Sequence, residues 1–168
     1  MGQNTIPTQA ELEAMAAQLG KELLAKGCYV AVAESCTGGW VAQCLTAIAG
    51  SSAWFDRGFV TYSNQAKSDM LGVSEAVLLT HGAVSEPTAI AMVNGVLAHS
   101  QADWALSITG IAGPSGGSPE KPVGTVCFAW AGRSGEIFSA TQWFGGGRIE
   151  VRAQAVAFAM QRLQNYII

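Results

Sequence analysis

The segment Cys28–Gly39 reads CYVAVAESCTGG, in which a strand-like stretch is followed by a turn with two glycines. The helix-like stretch Trp40–Ala49 comes next. The apolar half of this segment predicts a buried strand, and the paired glycines predict a sharp turn before the helix. Amide groups at the start of a helix have no partner within it and attract anions. The serine, cysteine and threonine of this turn therefore stand where a ligand or a developing negative charge would be held.

The composition indicates one compact domain spanning residues 1–168, with residues 1–7 as a loose tail. Apolar residues make up 49% of the 168 residues and charged residues only 12%, so much of the surface is expected to be buried, partly against another subunit. The net charge is -3 and the basic residues are scattered, which argues against a nucleic-acid or anionic-membrane partner. The expected partners are a small-molecule substrate and further copies of the chain.

Four cysteines occur without a CxxC pair, and no basic segment followed by an apolar segment marks a secretion signal. Two of them fall in predicted strands and one in a predicted helix. No apolar stretch is long enough to span a bilayer. We therefore expect reduced thiols and a cytoplasmic location.

Helix and strand patterns alternate and then end in a hairpin, which predicts a three-layer α/β/α fold with a mixed, mainly parallel sheet flanked by helices. The first three strands are expected to pair in parallel through helical crossovers. Helices are predicted at 8–26, 40–49, 63–71, 74–81, 85–100 and 148–166, and strands at 28–33, 57–62, 104–108, 123–131 and 136–144. Thr8 and Glu11 have the spacing of a capping box, and serines stand at the predicted starts of three further helices, at Ser63, Ser74 and Ser85.

Ser35 is the best candidate nucleophile in the glycine turn, and its structural alternative is a helix N-cap. Cys36 is a rival nucleophile, although a lone cysteine among apolar neighbours is more often inert core. Thr37 could be the actual cap. Glu34 could accept a ligand hydroxyl or bond to loop backbone.

A serine nucleophile needs a base, and the segment Tyr62–Lys67 (YSNQAK) offers one. Lys67 can serve only when neutral, so its pKa must fall from about 10.4 to about 7, a differential stabilisation of roughly 4 to 5 kcal/mol. Burial can supply that shift. Tyr62 could relay the proton or hold the lysine. The structural alternatives are a solvated lysine and a tyrosine packed at the protein rim.

Two further segments carry groups suited to an anion. Thr109 ends an apolar strand, and the amides of Gly110 and Gly113 follow in a glycine-rich loop at the end of the strand where ligands bind in α/β sheets. Arg148 begins the last helix, where the helix dipole disfavours a cation, so an anionic ligand or a carboxylate partner is expected. The alternative for the loop is a simple connection.

Weaker candidates remain among the other polar residues. Arg152 lies one turn after Arg148 and could assist it or face solvent, and Lys121 is an anion candidate with the same alternative. His81 and His99 fall near predicted helix ends, where a capping role is expected. No spacing typical of a metal site or of a nucleotide-binding loop occurs, so the mechanism is predicted to need no metal and no cofactor.

The same motifs resemble a known family. AESCTGG at 33–39, YSNQAK at 62–67, GAVS at 82–85, SITGIAGPSGG at 107–117 and KPVGTV at 121–126 are similar, in order, to the C-terminal domain of the competence/damage-inducible protein CinA, over about residues 12–162. The family commonly has Gly-Asp-Arg before its last helix, where this chain has Gly146-Gly147-Arg148. The N-terminal nucleotide-processing domain of longer members has no counterpart here.

The resemblance implies a cytoplasmic, metal-independent, oligomeric enzyme, with a homodimer favoured, that hydrolyses the carboxamide of nicotinamide mononucleotide in pyridine-nucleotide recycling. It implies Ser35 as nucleophile, Tyr62 and Lys67 as the base machinery, Thr109 within the site and Arg148 on the phosphate.

Substrate contacts are expected from eight residues: Glu34, Thr37, Gly38, Gly39, Gly110, Gly113, Lys121 and Arg148. Two other readings stay open: a nucleotide-binding module without catalysis, and an amidase that uses Cys36.

Overall fold

The computed structural model describes residues 5–168 and contains one five-stranded sheet with helices on both faces. The elements in chain order are α1 (Gln9–Lys26), β1 (Val30–Glu34), α2 (Trp40–Thr46), a 3-10 turn (Ser51–Ala53), β2 (Phe55–Val60), α3 (Asn64–Leu71), α4 (Glu75–His81), α5 (Glu86–Ala98), β3 (Trp104–Gly110), β4 (Thr125–Gly132), β5 (Ile137–Trp143) and α6 (Arg148–Ile167). The predicted tail lies partly outside the described residues.

The sheet has the strand order β2-β1-β3-β4-β5. β1 pairs in parallel with both β2 and β3, whereas β3–β4 and β4–β5 are antiparallel. Helices α1, α2 and α6 cover one face, and α3, α4 and α5 cover the other. The predicted three-layer α/β/α fold with a mixed sheet is therefore confirmed.

Strand β1 is buried along its whole length because both of its faces pack against helices. Val30 and Val32 belong to the core under α1, α2 and α6, while Ala31 and Ala33 belong to the core under α5. A strand covered on both sides has an unbroken apolar sequence instead of an alternating one. This explains the uninterrupted apolar run that precedes the glycine turn.

Short polar side chains fix where several helices begin. Thr8 and Glu11 form the predicted capping box at the start of α1, and the hydroxyls of Ser63, Ser74 and Ser85 accept backbone amides at the starts of α3, α4 and α5. These caps were all predicted. They matter for the site because α3 carries the candidate base and α5 follows the loop beneath Thr109.

Some predicted boundaries were wrong. Cys28 lies outside β1 because its amide bonds to the Leu23 carbonyl and closes α1, so it caps a helix and is not part of the strand. α2 ends at Thr46 rather than Ala49, since the chain turns at Gly50 with φ +83°. β2 spans 55–60, so Tyr62 lies just beyond its end rather than within it. Among residues 5–168, no helix has both the length and the apolar character needed to cross a bilayer.

We predict that Gly95→Ala destabilises the protein by about 1–3 kcal/mol, the range expected for overpacking. A Cβ at Gly95 of α5 would overlap the Leu71 carbonyl oxygen at the end of α3, which is backbone and cannot rotate away. Asn94→Ala, on the exposed face of the same helix, is the matched control and should change the free energy of unfolding by less than about 0.5 kcal/mol. Urea unfolding followed by circular dichroism measures both. Equal stabilities of the two variants would contradict the close packing of α3 on α5.

Candidate active site

The site lies where β1, β2 and β3 end, on the edge of the sheet at which ligands bind in α/β folds. Ser35 follows β1, Tyr62 follows β2, and Thr109 is the penultimate residue of β3. They meet at a cavity of about 290 Å³ that is open to solvent. Its lining residues are Ser35, Cys36, Tyr62, Asn64, Lys67, Ala83, Val84, Thr109, Gly110, Ala112 and Arg148.

A buried hydrogen bond joins the candidate nucleophile to the candidate base. The Lys67 Nζ lies 3.2 Å from the Ser35 Oγ and donates to the Thr61 carbonyl at 3.0 Å. Lys67 is 1% exposed and Ser35 is 7% exposed. The serine–lysine pair expected from the two motifs is therefore brought together by the fold, across 32 positions of sequence.

Burial lowers the pKa of Lys67, and the charge of a Cys36 thiolate would act weakly in the opposite direction. The ammonium forms no ion pair among residues 5–168. A neutral amine has one lone pair and two N–H groups, so it can accept the Ser35 proton while donating to Thr61. The surroundings of Lys67 thus favour the protonation state that a general base requires.

Glu34 caps α2 and does not line the cavity. Its two carboxylate oxygens accept the amides of Val41 at 2.8 Å and Ala42 at 3.1 Å, and the side chain is 1% exposed. Burial raises the pKa of Glu34, while the backbone hydrogen bonds from Val41 and Ala42 lower it. The Glu34 carboxylate therefore accepts the Val41 and Ala42 amides near the start of α2, so these two amides are not available to a ligand.

Cys36 lines the cavity beside Ser35 but is poorly suited to attack. Burial, and to a smaller extent the nearby Glu34 carboxylate, raise the pKa of its thiol to about 12. Because the thiolate is the reactive form of cysteine, almost none would be present near neutral pH. This environment is that of an inert core cysteine.

Thr109 and Gly110 form the wall of the cavity nearest α5. The Thr109 Oγ1 donates to the Ala83 carbonyl at 2.7 Å and ties the end of β3 to the loop before α5. Ala83 and Val84 of that loop line the cavity. Gly110 is needed for packing, since a Cβ there would lie 2.8 Å from the Val126 side chain and 3.0 Å from the Thr125 carbonyl oxygen.

Arg148 joins two loops at the mouth of the cavity. Its guanidinium donates to the Gly113 carbonyl at 2.7 Å and to the Tyr62 hydroxyl at 3.1 Å. Tyr62 is 63% exposed, and among residues 5–168 its hydroxyl bonds to neither Ser35 nor Lys67. The arginine and the phenol therefore form a polar rim that faces solvent at the entrance.

Six of the predicted site residues line the cavity, and six do not. The first group is Ser35, Tyr62, Lys67, Thr109, Gly110 and Arg148, and the second is Glu34, Thr37, Gly38, Gly39, Gly113 and Lys121. In the second group, Gly38 donates its amide to the Ser35 carbonyl, Gly113 offers a carbonyl to Arg148, and Lys121 donates to the His81 carbonyl at 3.1 Å. These residues shape the loops around the cavity.

Four lining residues were missed by sequence reasoning: Asn64, Ala83, Val84 and Ala112. Each lies inside a motif that was recognised, so position within YSNQAK, GAVS or SITGIAG was the available signal. The sequence left two interpretations of Arg152 open, namely that it assists Arg148 or that it faces solvent. In the structure it contacts the Ser35 turn instead, because its guanidinium donates to the Cys36 and Thr37 carbonyls. Within residues 5–168, no cluster of three or more His, Cys, Asp or Glu side chains is arranged to hold a metal ion.

The model of the family described as "CinA C-terminal domain" matches residues 12–167. The chain belongs to this family. It is also similar to the crystal structure of a competence/damage inducible protein, CihA, from Agrobacterium tumefaciens, with a TM-score of 0.90, 47% identity, and coverage of 96% of this chain and 97% of that one.

Curated relatives fall into two kinds. The nicotinamide-nucleotide amidohydrolase PncC of Escherichia coli K12 is 57% identical over 156 residues, covering 93% of this chain and 94% of the relative. A putative competence-damage inducible protein of Symbiobacterium thermophilum is 47% identical over 93% of this chain, but the match spans only 38% of that longer protein. The chain therefore spans nearly the whole length of the first relative and less than half of the second.

We predict that the buried Lys67 makes stability pH-dependent. Its folded-state pKa lies below the value in the unfolded chain, near 10.4, so the unfolded chain binds more protons between the two values and stability rises with pH across that window. Lys67→Met should remove this rise, while Lys21→Met, at an exposed helix position, should keep it. Urea unfolding at several pH values measures the difference. A wild-type and Lys67→Met pair with parallel pH dependence would contradict the lowered pKa.

Proposed function

We propose that this protein hydrolyses the carboxamide of nicotinamide mononucleotide to nicotinate mononucleotide and ammonia, with Ser35 as nucleophile and Lys67 as base. The observation that carries the mechanism is the buried Ser35–Lys67 contact of 3.2 Å inside an open cavity. The substrate is supported by relatives named nicotinamide-nucleotide amidohydrolase that match nearly the whole chain. Recycling of pyridine nucleotides is the role that this reaction would serve.

In the first half-reaction, the Ser35 Oγ attacks the carboxamide carbon while its proton passes to the neutral Lys67 amine. The C=O electron pair moves onto oxygen and gives a tetrahedral oxyanion. When the C–N bond breaks, Lys67 returns the proton to the leaving nitrogen, and ammonia departs. The serine is left as an ester of the nicotinate carboxyl group.

In the second half-reaction, water attacks this ester and gives its proton to Lys67. The tetrahedral intermediate collapses, the Ser35 oxygen leaves as an alkoxide and recovers the proton from the lysine, and the carboxylic acid product ionises. Lys67 thus serves each half-reaction as base and then as acid. One buried amine with a lowered pKa is sufficient for both roles.

The charge of the substrate gives a further reason for a neutral lysine. The pyridine ring of nicotinamide mononucleotide is a cation, and a charged ammonium beside it in a half-enclosed cavity would repel it. With the amine neutral, the ring can approach Ser35 without that penalty. The cationic ring also withdraws electrons from the carboxamide, which makes its carbon easier to attack.

Recognition of the phosphate is assigned to the rim of the cavity. Arg148 is the cation at the entrance, and its guanidinium already donates to Tyr62 and Gly113. A phosphate bound there would be held by charge and by a planar fork of N–H donors. Tyr62 would then act through Arg148 and the substrate, and Lys67 would take the serine proton directly.

The cytoplasmic location, the homodimer and the single-domain organisation remain predictions. All four cysteines are free thiols, which supports a reducing compartment.

We predict that Ser35→Ala lowers ammonia release from nicotinamide mononucleotide by at least about 1,000-fold, because the attacking oxygen is removed. Cys36→Ala is the matched control beside it and should retain at least about half of wild-type kcat, since the thiol stays protonated. A coupled ammonia assay measures both. Full activity of Ser35→Ala together with loss in Cys36→Ala would establish a cysteine nucleophile.

We predict that kcat/KM rises with pH through the lowered pKa of Lys67, because only the neutral amine accepts the serine proton. Lys67→Arg keeps a long basic side chain but stays charged because a guanidinium does not deprotonate, so it should be inactive at every pH. Steady-state rates between pH 6 and pH 10 test this. Substrate binding by calorimetry without turnover in the wild type would instead support a binding module.

We predict that Arg148→Met raises KM for nicotinamide mononucleotide by about 10- to 100-fold and leaves kcat within about threefold, as expected when binding of a charged group is lost. Nicotinamide riboside, which lacks the phosphate, is the control substrate. Its kcat/KM should be the same with wild type and Arg148→Met. An equal loss with both substrates would contradict a phosphate contact and indicate that Arg148 only supports the loops.

A further inference from the structure

Arg152 forms hydrogen bonds with the backbone of the turn that carries Ser35. It lies one turn after Arg148 on α6, is half-buried, and donates from Nε to the Cys36 carbonyl at 3.0 Å and from Nη2 to the Thr37 carbonyl at 3.2 Å. Its guanidinium also lies 5.4 Å from the centre of the Trp40 ring. Arg152 does not line the cavity, so it acts on the site through the backbone.

The turn itself is tight and leaves two amides free. The Gly38 amide donates to the Ser35 carbonyl at 3.0 Å, which closes a four-residue turn over residues 35–38. Among residues 5–168, the amides of Cys36 and Thr37 donate to no other residue. Because a trans peptide is planar, the N–H of each unit points away from its C=O. The Thr37 carbonyl shares a peptide unit with the Gly38 amide, so the bond from Arg152 to this carbonyl also fixes the Gly38 amide. The Gly38 amide in turn holds the Ser35 carbonyl, whose peptide unit contains the Cys36 amide, so Arg152 fixes the direction of the Cys36 amide through the turn.

We propose that Arg152 is a positioning residue, which locks the turn at residues 35–38 so that Ser35 and the free Cys36 amide keep one orientation during the reaction. The inference rests on the proposed amidase function and extends it to the stabilisation of the oxyanion. The amide of the residue after a serine nucleophile is a suitable donor to the oxygen of the tetrahedral intermediate. Arg152 holds this donor in place before the charge develops.

The chemistry of the contact requires arginine. A guanidinium presents several N–H donors in a fixed plane and can bond two neighbouring carbonyls at once, whereas a lysine ammonium is a point donor. Arg152 has no carboxylate partner among residues 5–168, so its charge is directed at the carbonyls and the indole. The Trp40 ring is held in turn by a hydrogen bond of 2.8 Å from its Nε1 to the Gln9 side chain.

Arg152→Lys and Arg152→Ala test the inference, with Arg162→Lys as the matched control. Arg162 lies on the same helix, is exposed, and places its guanidinium over the Phe158 and Tyr166 rings. We expect kcat to fall about 10- to 100-fold in Arg152→Lys and further in Arg152→Ala, the size of effect produced by misplacing a reacting group by about 1 Å. KM should stay within about threefold, and Arg162→Lys should match the wild type.

A second readout does not depend on the substrate. A fluorophosphonate probe reacts when the Ser35 oxygen displaces fluoride from phosphorus and the serine proton passes to Lys67. The second-order labelling rate, measured by mass spectrometry, should fall in Arg152→Lys by a factor similar to that for kcat. Thermal unfolding of each variant, measured in parallel, reports whether the fold is intact.

Each outcome supports or overturns the inference. A lower kcat and a lower labelling rate at unchanged KM and melting temperature support it. A kcat in Arg152→Lys equal to that of Arg162→Lys overturns it, and so does a loss that merely follows a lower melting temperature. If the wild type is labelled at Ser35 but releases no ammonia, the proposed substrate fails, and the labelling rates alone decide the role of Arg152. If the wild type neither is labelled at Ser35 nor releases ammonia, both proposals fail.

Discussion

The contact between the Lys67 amine and the Ser35 hydroxyl is the constraint on which the rest of the site depends. Burying a lysine without a carboxylate partner is costly, and among residues 5–168 Lys67 has only a hydroxyl and a carbonyl within hydrogen-bond distance. The same burial lowers the pKa of the amine and so favours the neutral form that a general base needs. A carboxylate beside Lys67 would stabilise the fold and at the same time abolish its value as a base.

The scaffold supports this pair from several directions. β1 delivers Ser35 from a strand that is buried on both faces, so the start of the turn cannot shift without disturbing two cores. The Ser63 hydroxyl caps α3 and fixes the first turn from which Lys67 projects. Glu34 holds the start of α2, and Thr109 holds the loop at Ala83. The cavity is therefore shaped by polar contacts that lie mostly behind it.

Two arginines on successive turns of α6, Arg148 and Arg152, make different contacts around the cavity. Arg148 faces outward at the rim, where an anionic group of a substrate can reach it, while Arg152 faces the Ser35 turn, donates to two carbonyls there and packs against an indole ring. A spacing of four residues places both on one face of a helix, so a single element can couple the binding of substrate to the orientation of the nucleophile.

Local sequence patterns determined much of this protein. Capping serines predicted the starts of α3, α4 and α5, the apolar run predicted β1, and the ends of the predicted strands placed Ser35, Tyr62 and Thr109 along one edge of the sheet. These predictions worked because caps, turns and strand burial depend on neighbouring residues. The tertiary structure alone decided what Tyr62, Lys121 and Arg152 contact, since their partners are distant in the sequence. It also decided the directions in which the pKa values of Lys67 and Cys36 shift, because both shifts come mainly from burial, and burial exists only once the layers have packed.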